Sequence, residues 1–463
     1  MTKEHLYINL YENLKKQIIE GQYKSGDKFP SKRALGQHLS VSNTTIEHAY
    51  QILSDEGYIY AKPRSGYFVS DVETLPIIAR DRDLHASNTY HEENNDNQAQ
   101  QTYEFAFNLS EIDAEYFPMQ QFRKYARDAF EDSQLNLLQH TNPKGEWTLR
   151  QEIAHYIFNS RGVTCHPEQI IIGSSTEQLI NLLTDILNKG RFIIENPSYP
   201  PIKQVLDKKQ ITYLQVPVNN TGIELEYFDE SNNNIAYVTP SHQFPTGYVM
   251  NLKKRTQLIH WAQQFENRYI IEDDYDSEFR YFGKPIPALQ SLDTKDKVIY
   301  ISTFSKSLFP SCRVAYLVLP KKLLKLYNAL ENKEGNTVPA HIQKMVASFM
   351  QSGSFERHLN KMRNVYRDKL KFILDALKPY QEQLEIDGAL AGMHFTLTVK
   401  NGLTMNQCLK NAEENKLKII PFSKYNKSQQ SVKFILGFGG IPFSQLEEHT
   451  KALIRALTIL KKP

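Results

Sequence analysis

Cysteine is scarce in this chain, and long apolar runs are missing. The 463 residues include three cysteines, Cys165, Cys312 and Cys408, far apart and without CxxC spacing. This pattern argues against a disulfide framework or a metal cluster, so we predict reduced thiols and no metal. No run of about 18 apolar residues occurs, and the first residues lack the apolar stretch of a signal peptide. We therefore expect no membrane span and a cytoplasmic protein.

A strong charge of one sign is also missing, since the formal net charge is +3. Global charge therefore gives no sign of a nucleic-acid partner, and a surface that binds one must be local. The hydrophobic fraction of 40% and the charged fraction of 23% are typical of a globular protein. The length predicts two or three domains.

Composition divides the chain into three parts. Residues 1–72 have helical patterns and end in short strand-like pieces. Residues 73–102 include the stretch HASNTYHEENNDNQAQQ, which is polar and nearly free of aliphatic side chains, so we predict a flexible linker there. Residues 103–463 alternate β-branched runs with helical patterns. The runs QIIIG, RFIIEN, NIAYVTP, RYIIEDD and KVIYIST are candidate buried strands, which predicts an α/β domain with a largely parallel sheet.

Three helices and a hairpin are predicted in residues 1–72. The first helix has an apolar face at i+4 spacing, formed by Leu6, Leu10, Leu14 and Ile18. Ser31 is a candidate N-cap of the second helix, whose Leu35 and Leu39 are predicted to point inward. Ser42 caps the third, which buries Ile46, Ala49, Ile52 and Leu53. Two short helices joined by a tight turn are typical of a helix-turn-helix.

The third helix begins with short hydrogen-bonding side chains that suit the DNA major groove: Ser42, Asn43, Thr44 and Thr45. Cations that suit DNA phosphates are predicted at the second helix, with Lys28, Lys32 and Arg33, and on the hairpin, with Lys62 and Arg64. Residues 1–72 hold nine Lys and Arg against eight Asp and Glu. This near balance keeps open a module for protein contacts instead of DNA.

The segment from Ile270 to Ala315 concentrates reactive side chains. IIEDDYDSEF places acids and a tyrosine after one apolar run, and STFSKSLFPSCR places Lys306 among hydroxyls after another. Ligands of α/β sheets bind at the carboxyl ends of strands, so both segments are predicted to face one crevice. A lysine, an acid, hydroxyls and an arginine are what pyridoxal phosphate requires. Taken singly, however, each residue has an ordinary structural interpretation: Lys306 as a surface lysine and Asp273 as an acid that caps a helix.

Two known families are similar to these stretches. FPSKRALGQHLSVSNTTIEHAYQILSDEGYI resembles the GntR winged helix-turn-helix regulators over about sixty residues. TPSHQFPTG, YIIEDDYDSEFRY, IPALQSLD and TFSKSLFPSCR resemble fold-type I aminotransferases, and most closely the MocR subfamily, in which a GntR-type domain precedes such a domain. The resemblance implies a winged helix-turn-helix over residues 1–72 and an aminotransferase-like α/β domain over residues 103–463.

The same resemblance implies a site for pyridoxal phosphate. Lys306 would form the internal aldimine, Asp273 would face the pyridine nitrogen, and Tyr275 would bond the phenolic oxygen. Tyr199 would lie against the ring. The phosphate would be held by Thr303, Ser305, Arg313, Ser174, Ser175 and Thr176.

This chain departs from the family in three places. The GABA-responsive members hold a carboxylate with arginines that are replaced here by Gly440 and by Pro200 and Pro201. Losing a charged partner costs a carboxylate on the order of a hundredfold in affinity. We therefore predict no sensing of GABA in that manner, although Arg357 or Arg363 is left as a substitute. Asn43 stands where the family commonly has arginine, which predicts a different operator.

The resemblance implies a homodimer that binds a double-stranded DNA operator and a small-molecule effector. We favour pyridoxal phosphate itself as the signal, as in members that control vitamin B6 synthesis. An amine effector, or control of an efflux gene, stays open. The competing class is a working aminotransferase that regulates its own gene.

Overall fold

A computed structural model describes residues 3–39, 41–71, 103–131, 141–187, 190–228, 234–281, 286–331, 335–427 and 430–459. They fall into two compact units, one within residues 1–99 and one within residues 100–463. The predicted linker, residues 73–102, lies outside the described residues. None of the described helices combines the length and the apolar character that crossing a bilayer needs.

The N-terminal unit has three helices and a hairpin among its described residues. Its elements are α1 (Lys3–Ile19), α2 (Lys32–Leu39), α3 (Asn43–Asp55), β1 (Ile59–Lys62) and β2 (Gly66–Val69). Ser31 Oγ accepts from Ala34 N at 3.2 Å, and Ser42 Oγ accepts from Thr45 N at 3.2 Å, so both predicted caps are present. Strands β1 and β2 pair antiparallel, with Lys62 opposite Gly66.

The core of this unit is formed mainly by the predicted apolar faces. Its buried residues are Leu10, Tyr11, Leu14, Ile18, Phe29, Leu35, Ile46, Ala49, Tyr50, Leu53, Ile59 and Val69. The inward prediction is wrong for Leu39, which is 42% exposed, and Leu6 at the start of the apolar face of α1 is 43% exposed. Periodicity identifies the apolar face of a helix, but it does not tell how far the neighbouring elements cover that face.

The second unit is an α/β structure. Its helices are α4 (Met119–Glu131), α5 (Trp147–Arg161), α6 (Thr176–Ile186), α7 (Pro200–Lys208), α8 (Leu252–Gln263), α9 (Lys321–Ala329), α10 (Ala340–Gln351), α11 (Ser354–Leu377), α12 (Met405–Glu414) and α13 (Leu446–Leu457). Its strands are β3 (Phe105–Ala106), β4 (Ile170–Gly173), β5 (Arg191–Asn196), β6 (Tyr213–Asn219), β7 (Gly222–Ile223), β8 (Asn234–Val238), β9 (Tyr269–Asp273), β10 (Val298–Thr303), β11 (Ala315–Val318), β12 (Leu384–Asp387), β13 (His394–Val399), β14 (Leu417–Lys418), β15 (Ile420–Pro421) and β16 (Lys433–Gly437).

Eight strands form the main sheet, in the order β4-β11-β10-β9-β8-β5-β6-β7. Each of the five runs predicted as a buried strand forms one of them. The five central strands run parallel to one another, in the order β10, β9, β8, β5 and β6. At the two sides of this group, β11 is antiparallel to both β10 and β4, and β7 is antiparallel to β6. The predicted, largely parallel sheet is therefore confirmed.

A smaller part of the second unit adds a four-stranded sheet, β12-β13-β16-β15, and the parallel pair β14-β3. Through β3 and β14, residues near position 105 meet residues near position 417. A buried ion pair also fixes the end of β9, because Arg161 Nε lies 2.8 Å from Asp274 Oδ2. The hydroxyl of Tyr300 donates to the same carboxylate at 2.7 Å.

Candidate functional site

A cavity of about 680 Å³ opens at the carboxyl ends of the central strands. Asp273 ends β9, Thr303 ends β10, and both line it. Nine predicted cofactor residues lie together in its wall: Lys306, Asp273, Tyr275, Thr303, Ser305, Arg313, Ser175, Thr176 and Tyr199. Ser174 is not among the lining residues, and its backbone N–H donates to Thr337 Oγ1 at 3.1 Å.

Asp273 is a buried acid with one unused oxygen. The hydroxyl of Tyr237 donates to its Oδ2, while its Oδ1 has no hydrogen-bond partner within the described structure. The residue is 3% exposed, and burial raises the pKa of its carboxyl to about 7. A buried, unsatisfied carboxylate oxygen favours a ligand that brings a proton to it, such as a protonated ring nitrogen.

Lys306 follows β10 by three residues and points its amine into the same cavity. Burial lowers the pKa of the amine to about 8, although the charges of Asp276 and Glu111 oppose this effect. Its Nζ donates to the Leu109 carbonyl. An amine with a lowered pKa is nucleophilic near neutral pH, as a lysine that condenses with an aldehyde must be.

One side of the cavity suits a phosphate. Ser175 Oγ caps α6 by accepting from Gln178 N at 3.2 Å, so the helix presents its N-terminal turn beside Thr176. The Thr303 hydroxyl donates to Ser305 Oγ at 3.0 Å. Arg313 holds a left-handed backbone at φ 49°, an uncommon conformation for a residue with a side chain. A helix N-terminus, hydroxyls and an arginine form a suitable set for an anion.

Tyr275 is positioned by a histidine outside the lining set. Its hydroxyl donates to the His242 carbonyl at 2.9 Å and lies 3.2 Å from His242 Nδ1. That nitrogen is 2.9 Å from Asp276 Oδ2. The ring of His242 lies 4.4 Å, centroid to centroid, from that of His394. These three buried side chains also form a cluster with metal-ligand chemistry, His242, Asp276 and His394, which the sequence did not indicate.

Several wall residues were missed from the sequence, and most of them belong to no motif. They are Asn108, Leu109, Ser110, Glu111, Phe244, Pro310, His394, Lys418, Ile420 and Tyr425. Phe244 belongs to the quoted TPSHQFPTG motif and Pro310 to the quoted TFSKSLFPSCR motif, and both motifs were usable signals. The others arrive through contacts between distant segments.

Gly440 marks where the predicted family arginine is missing, and Glu111 packs against it. A Cβ added to Gly440 would lie 2.4 Å from Glu111 Cβ and 2.8 Å from Glu111 Oε2. Asn108 Nδ2 donates to the other carboxylate oxygen at 2.8 Å. An acid therefore occupies the space next to this position. The adjacent loop is held by buried Lys369, whose Nζ donates to the Gly439 carbonyl at 3.0 Å.

Neither arginine suggested as a substitute lines this cavity. Arg357 Nη2 donates to the Ser352 carbonyl at 3.1 Å. Arg363 Nε donates to the Glu278 carbonyl at 2.9 Å and borders a separate cavity of about 380 Å³. Pro200 and Pro201, at the start of α7, do line the main cavity. Among the described residues, Arg313 is the arginine in its wall.

The predicted DNA-binding residues lie on α2, α3 and the hairpin of the N-terminal unit. Ser42, Asn43, Thr44 and Arg33 are exposed, as are Lys62 and Arg64. Lys32 Nζ lies 2.6 Å from Glu47 Oε1, and the hydroxyls of Ser42 and Thr45 lie 2.8 Å apart. Arg64 has φ 60° in the tight turn between β1 and β2. Arg33, Asn43, Thr44 and Arg64 are therefore exposed without the side-chain contacts that Lys32, Ser42 and Thr45 make within this unit.

Comparison with known proteins matches both units. The model for bacterial regulatory proteins of the gntR family covers residues 6–69, and that for aminotransferase class I and II covers residues 105–427. The uncharacterized HTH-type transcriptional regulator YdeL of Bacillus subtilis (strain 168) is 36% identical over 98% of this chain and 97% of its own length. The HTH-type pyridoxine biosynthesis transcriptional regulator PdxR of Corynebacterium glutamicum is 29% identical over 84% of this chain and 82% of its own.

Among solved structures, the α-aminoadipate aminotransferase LysN of Thermus thermophilus, complexed with N-(5'-phosphopyridoxyl)-L-leucine, is similar with a TM-score of 0.67. The identity is 25%, and the match covers 76% of this chain and 92% of that one. The predicted fold class, a winged helix-turn-helix and a fold-type I aminotransferase-like α/β domain, is thereby confirmed.

Proposed function

The chain belongs to the MocR-type transcriptional regulators, in which a gntR-family domain precedes a class I and II aminotransferase domain, and we propose that its operator affinity is set by pyridoxal phosphate held at Lys306. The observation that carries the proposal is the buried Oδ1 of Asp273, which has no hydrogen-bond partner among the described residues and lies in the same cavity as the Lys306 amine, whose pKa is lowered. When bound, this cofactor supplies an aldehyde for amines and an electron-withdrawing ring.

Each part of the cofactor has a candidate partner. Lys306 would hold the aldehyde carbon, Asp273 the pyridine nitrogen and Tyr275 the phenolic oxygen, with Tyr199 against the ring. The residues that would hold the phosphate are Thr303, Ser305, Arg313, Ser175 and Thr176. Ser174 is assigned no direct contact, because it is not among the lining residues and its backbone amide donates to Thr337.

We further propose a cytoplasmic homodimer whose two helix-turn-helix units bind paired half-sites in double-stranded DNA. Residues 1–72 would bind the DNA and residues 103–463 would bind the effector, with residues 73–102 as the linker between these two domains. Direct contacts are assigned to Asn43 and Thr44 for bases, and to Arg33, Lys62 and Arg64 for phosphates. Pyridoxal phosphate is the favoured signal, and the PdxR relative is named as a regulator of pyridoxine biosynthesis.

A working aminotransferase is the second candidate, favoured by the same Lys306 and Asp273. Turnover requires an oriented amino acid, and an acid, Glu111, packs where an arginine would orient the carboxylate. We therefore expect no sustained turnover. A steady-state assay with 2-oxoglutarate and common amino donors tests this, and sustained turnover would contradict it.

The regulatory proposal is tested by Lys306→Ala, with Lys371→Ala on the exposed face of α11 as a matched control. Operator DNA is titrated with full-length protein, with and without pyridoxal phosphate. The parent and Lys371→Ala should turn yellow with pyridoxal phosphate and change their DNA affinity. Lys306→Ala should do neither. If its DNA affinity responds as that of the parent does, Lys306 is not the receptor.

A further inference from the structure

The cavity has polar groups beyond those assigned to the cofactor, and most of them accept hydrogen bonds. Glu111 and His394 both line it. Both also interact electrostatically with the amine of Lys306: Glu111 raises the pKa of Lys306, and Lys306 contributes to lowering the pKa of His394. A second ligand that approaches Lys306 therefore meets these two side chains.

His394 offers a free acceptor. The residue is 4% exposed, and its Nε2 has no hydrogen-bond partner within the described residues. The other ring nitrogen, Nδ1, donates its proton to the Pro245 carbonyl, so the lone pair of the ring lies on Nε2. Burial, together with the nearby His242 and Lys306, holds the pKa of His394 well below its ordinary value. An unpartnered Nε2 lone pair in the cavity wall accepts a hydrogen bond from a donor and offers none to a carboxylate.

Aromatic rings form another wall of the same space. Phe244 lies at ring-centroid distances of 5.1 Å from Tyr425, 5.7 Å from His394 and 5.8 Å from Tyr199. The faces of such rings attract cations. They give no stabilisation to a carboxylate, which would lose its hydration beside them.

The cations in the wall besides Lys306 are Arg313 and Lys418 among the described residues. Arg313 belongs to the phosphate side, next to the N-terminus of α6. Lys418 is exposed, and it is the group that would favour a carboxylate instead. Glu111 opposes it from the segment that packs against Gly440.

We propose that the space left beside the cofactor residues binds a primary amine whose far end is a second cation, an aliphatic diamine, in preference to an amino acid. Glu111 is the residue that determines this specificity, and His394 accepts a hydrogen bond from the same ligand. The inference rests on the proposed function in one respect, that the cavity holds pyridoxal phosphate and is the effector site.

The test uses three amines of equal length with different ends: 1,4-diaminobutane, 4-aminobutan-1-ol and 4-aminobutanoate. Each is titrated calorimetrically into full-length protein loaded with pyridoxal phosphate. The diamine should bind about tenfold more tightly than the carboxylate, because one partly exposed charge-assisted hydrogen bond is at stake. Glu111→Gln should bring the diamine down to the level of the alcohol without changing the affinity for the alcohol.

Two matched control variants test whether the preference for the diamine comes from Glu111. Glu115→Gln removes an exposed acid close in sequence but outside the cavity wall, and it should leave the diamine preference intact. Lys418→Met should leave the affinity for the diamine unchanged and weaken binding of 4-aminobutanoate, because it removes the cation that would favour a carboxylate. The proposal is overturned if 4-aminobutanoate binds as tightly as the diamine, if Lys418→Met abolishes binding, or if none of the three amines binds. Failure of the yellow colour to form at all would instead contradict the proposed function, so the two failures are distinguishable.

Discussion

Replacing Asp273 with asparagine should separate stability from cofactor binding. Burial raises the carboxyl pKa from 3.8 to about 7, so the folded state binds this proton more tightly than the unfolded chain. The free energy of unfolding therefore falls as the pH rises from about 4 to about 7, because the buried carboxyl loses its proton less readily than the unfolded one. Above about pH 7 the carboxyl is ionised in both states, and the whole destabilisation is present. The difference in pKa corresponds to about 4 kcal/mol.

Asp273→Asn removes the charge and keeps an acceptor for the Tyr237 hydroxyl. The cofactor-free variant should be more stable than the parent by up to about 4 kcal/mol near pH 8, and by less than half of that near pH 5. Urea unfolding at both pH values measures the difference. Affinity for pyridoxal phosphate should fall about 10- to 100-fold, because a charged hydrogen bond of roughly 1.5–3 kcal/mol is lost.

Glu195→Gln is the control for this prediction. Glu195 is also buried, burial raises its pKa to about 7, and it does not line the cavity. It should show a pH-dependent gain in stability of the same sign but smaller, up to about 3 kcal/mol near pH 8, with unchanged cofactor affinity. If Asp273→Asn gains equally at pH 5 and pH 8, or binds pyridoxal phosphate as the parent does, the role assigned to Asp273 is wrong.

Three further outcomes are expected. The rate of pyridoxal phosphate uptake, followed by absorbance, should rise with pH and level off above about 8, where the Lys306 amine becomes neutral; a flat profile between pH 6 and 9 contradicts this. Arg33→Ala should reduce the salt dependence of operator binding by the equivalent of about one phosphate contact and leave the sequence preference unchanged. Asn43→Ala should instead reduce the discrimination between bases by about 1–3 kcal/mol and leave the salt dependence unchanged. Arg161→Leu should cost about 3–5 kcal/mol in urea unfolding because it strands buried Asp274, and adding Asp274→Asn should recover part of that loss.

The side chains that follow buried strands could be predicted from the sequence. Asp273 and Thr303 each end an apolar run, and parallel strands bring such ends to one edge, so their meeting in a cavity follows from local pattern. Ser42 as a cap follows equally from local chemistry. Lys306 required its family motif, because nothing in its immediate neighbours distinguishes a buried lysine from an exposed one.

The other half of the cavity depends on contacts between distant segments. Glu111 reaches Gly440, and Lys418 comes near the segment of residue 108, through pairings such as β3 with β14. No periodicity encodes such a pairing. The sequence indicated that an arginine was missing at position 440, but it could not indicate that an acid fills the neighbouring space.

The close packing of Glu111 against Gly440 also restricts how this protein could change its ligand. Gaining an arginine at position 440 is not a single step, because its first side-chain atom would collide with Glu111. The nearest atom is the Cβ of Glu111, so relief requires glycine at position 111 or a shift of the backbone there, and an intermediate with glycine at both positions has neither the acid nor the arginine. A lineage that moves between cationic and carboxylate ligands in either direction therefore passes through a chain that recognises neither well, which keeps the two specificities apart.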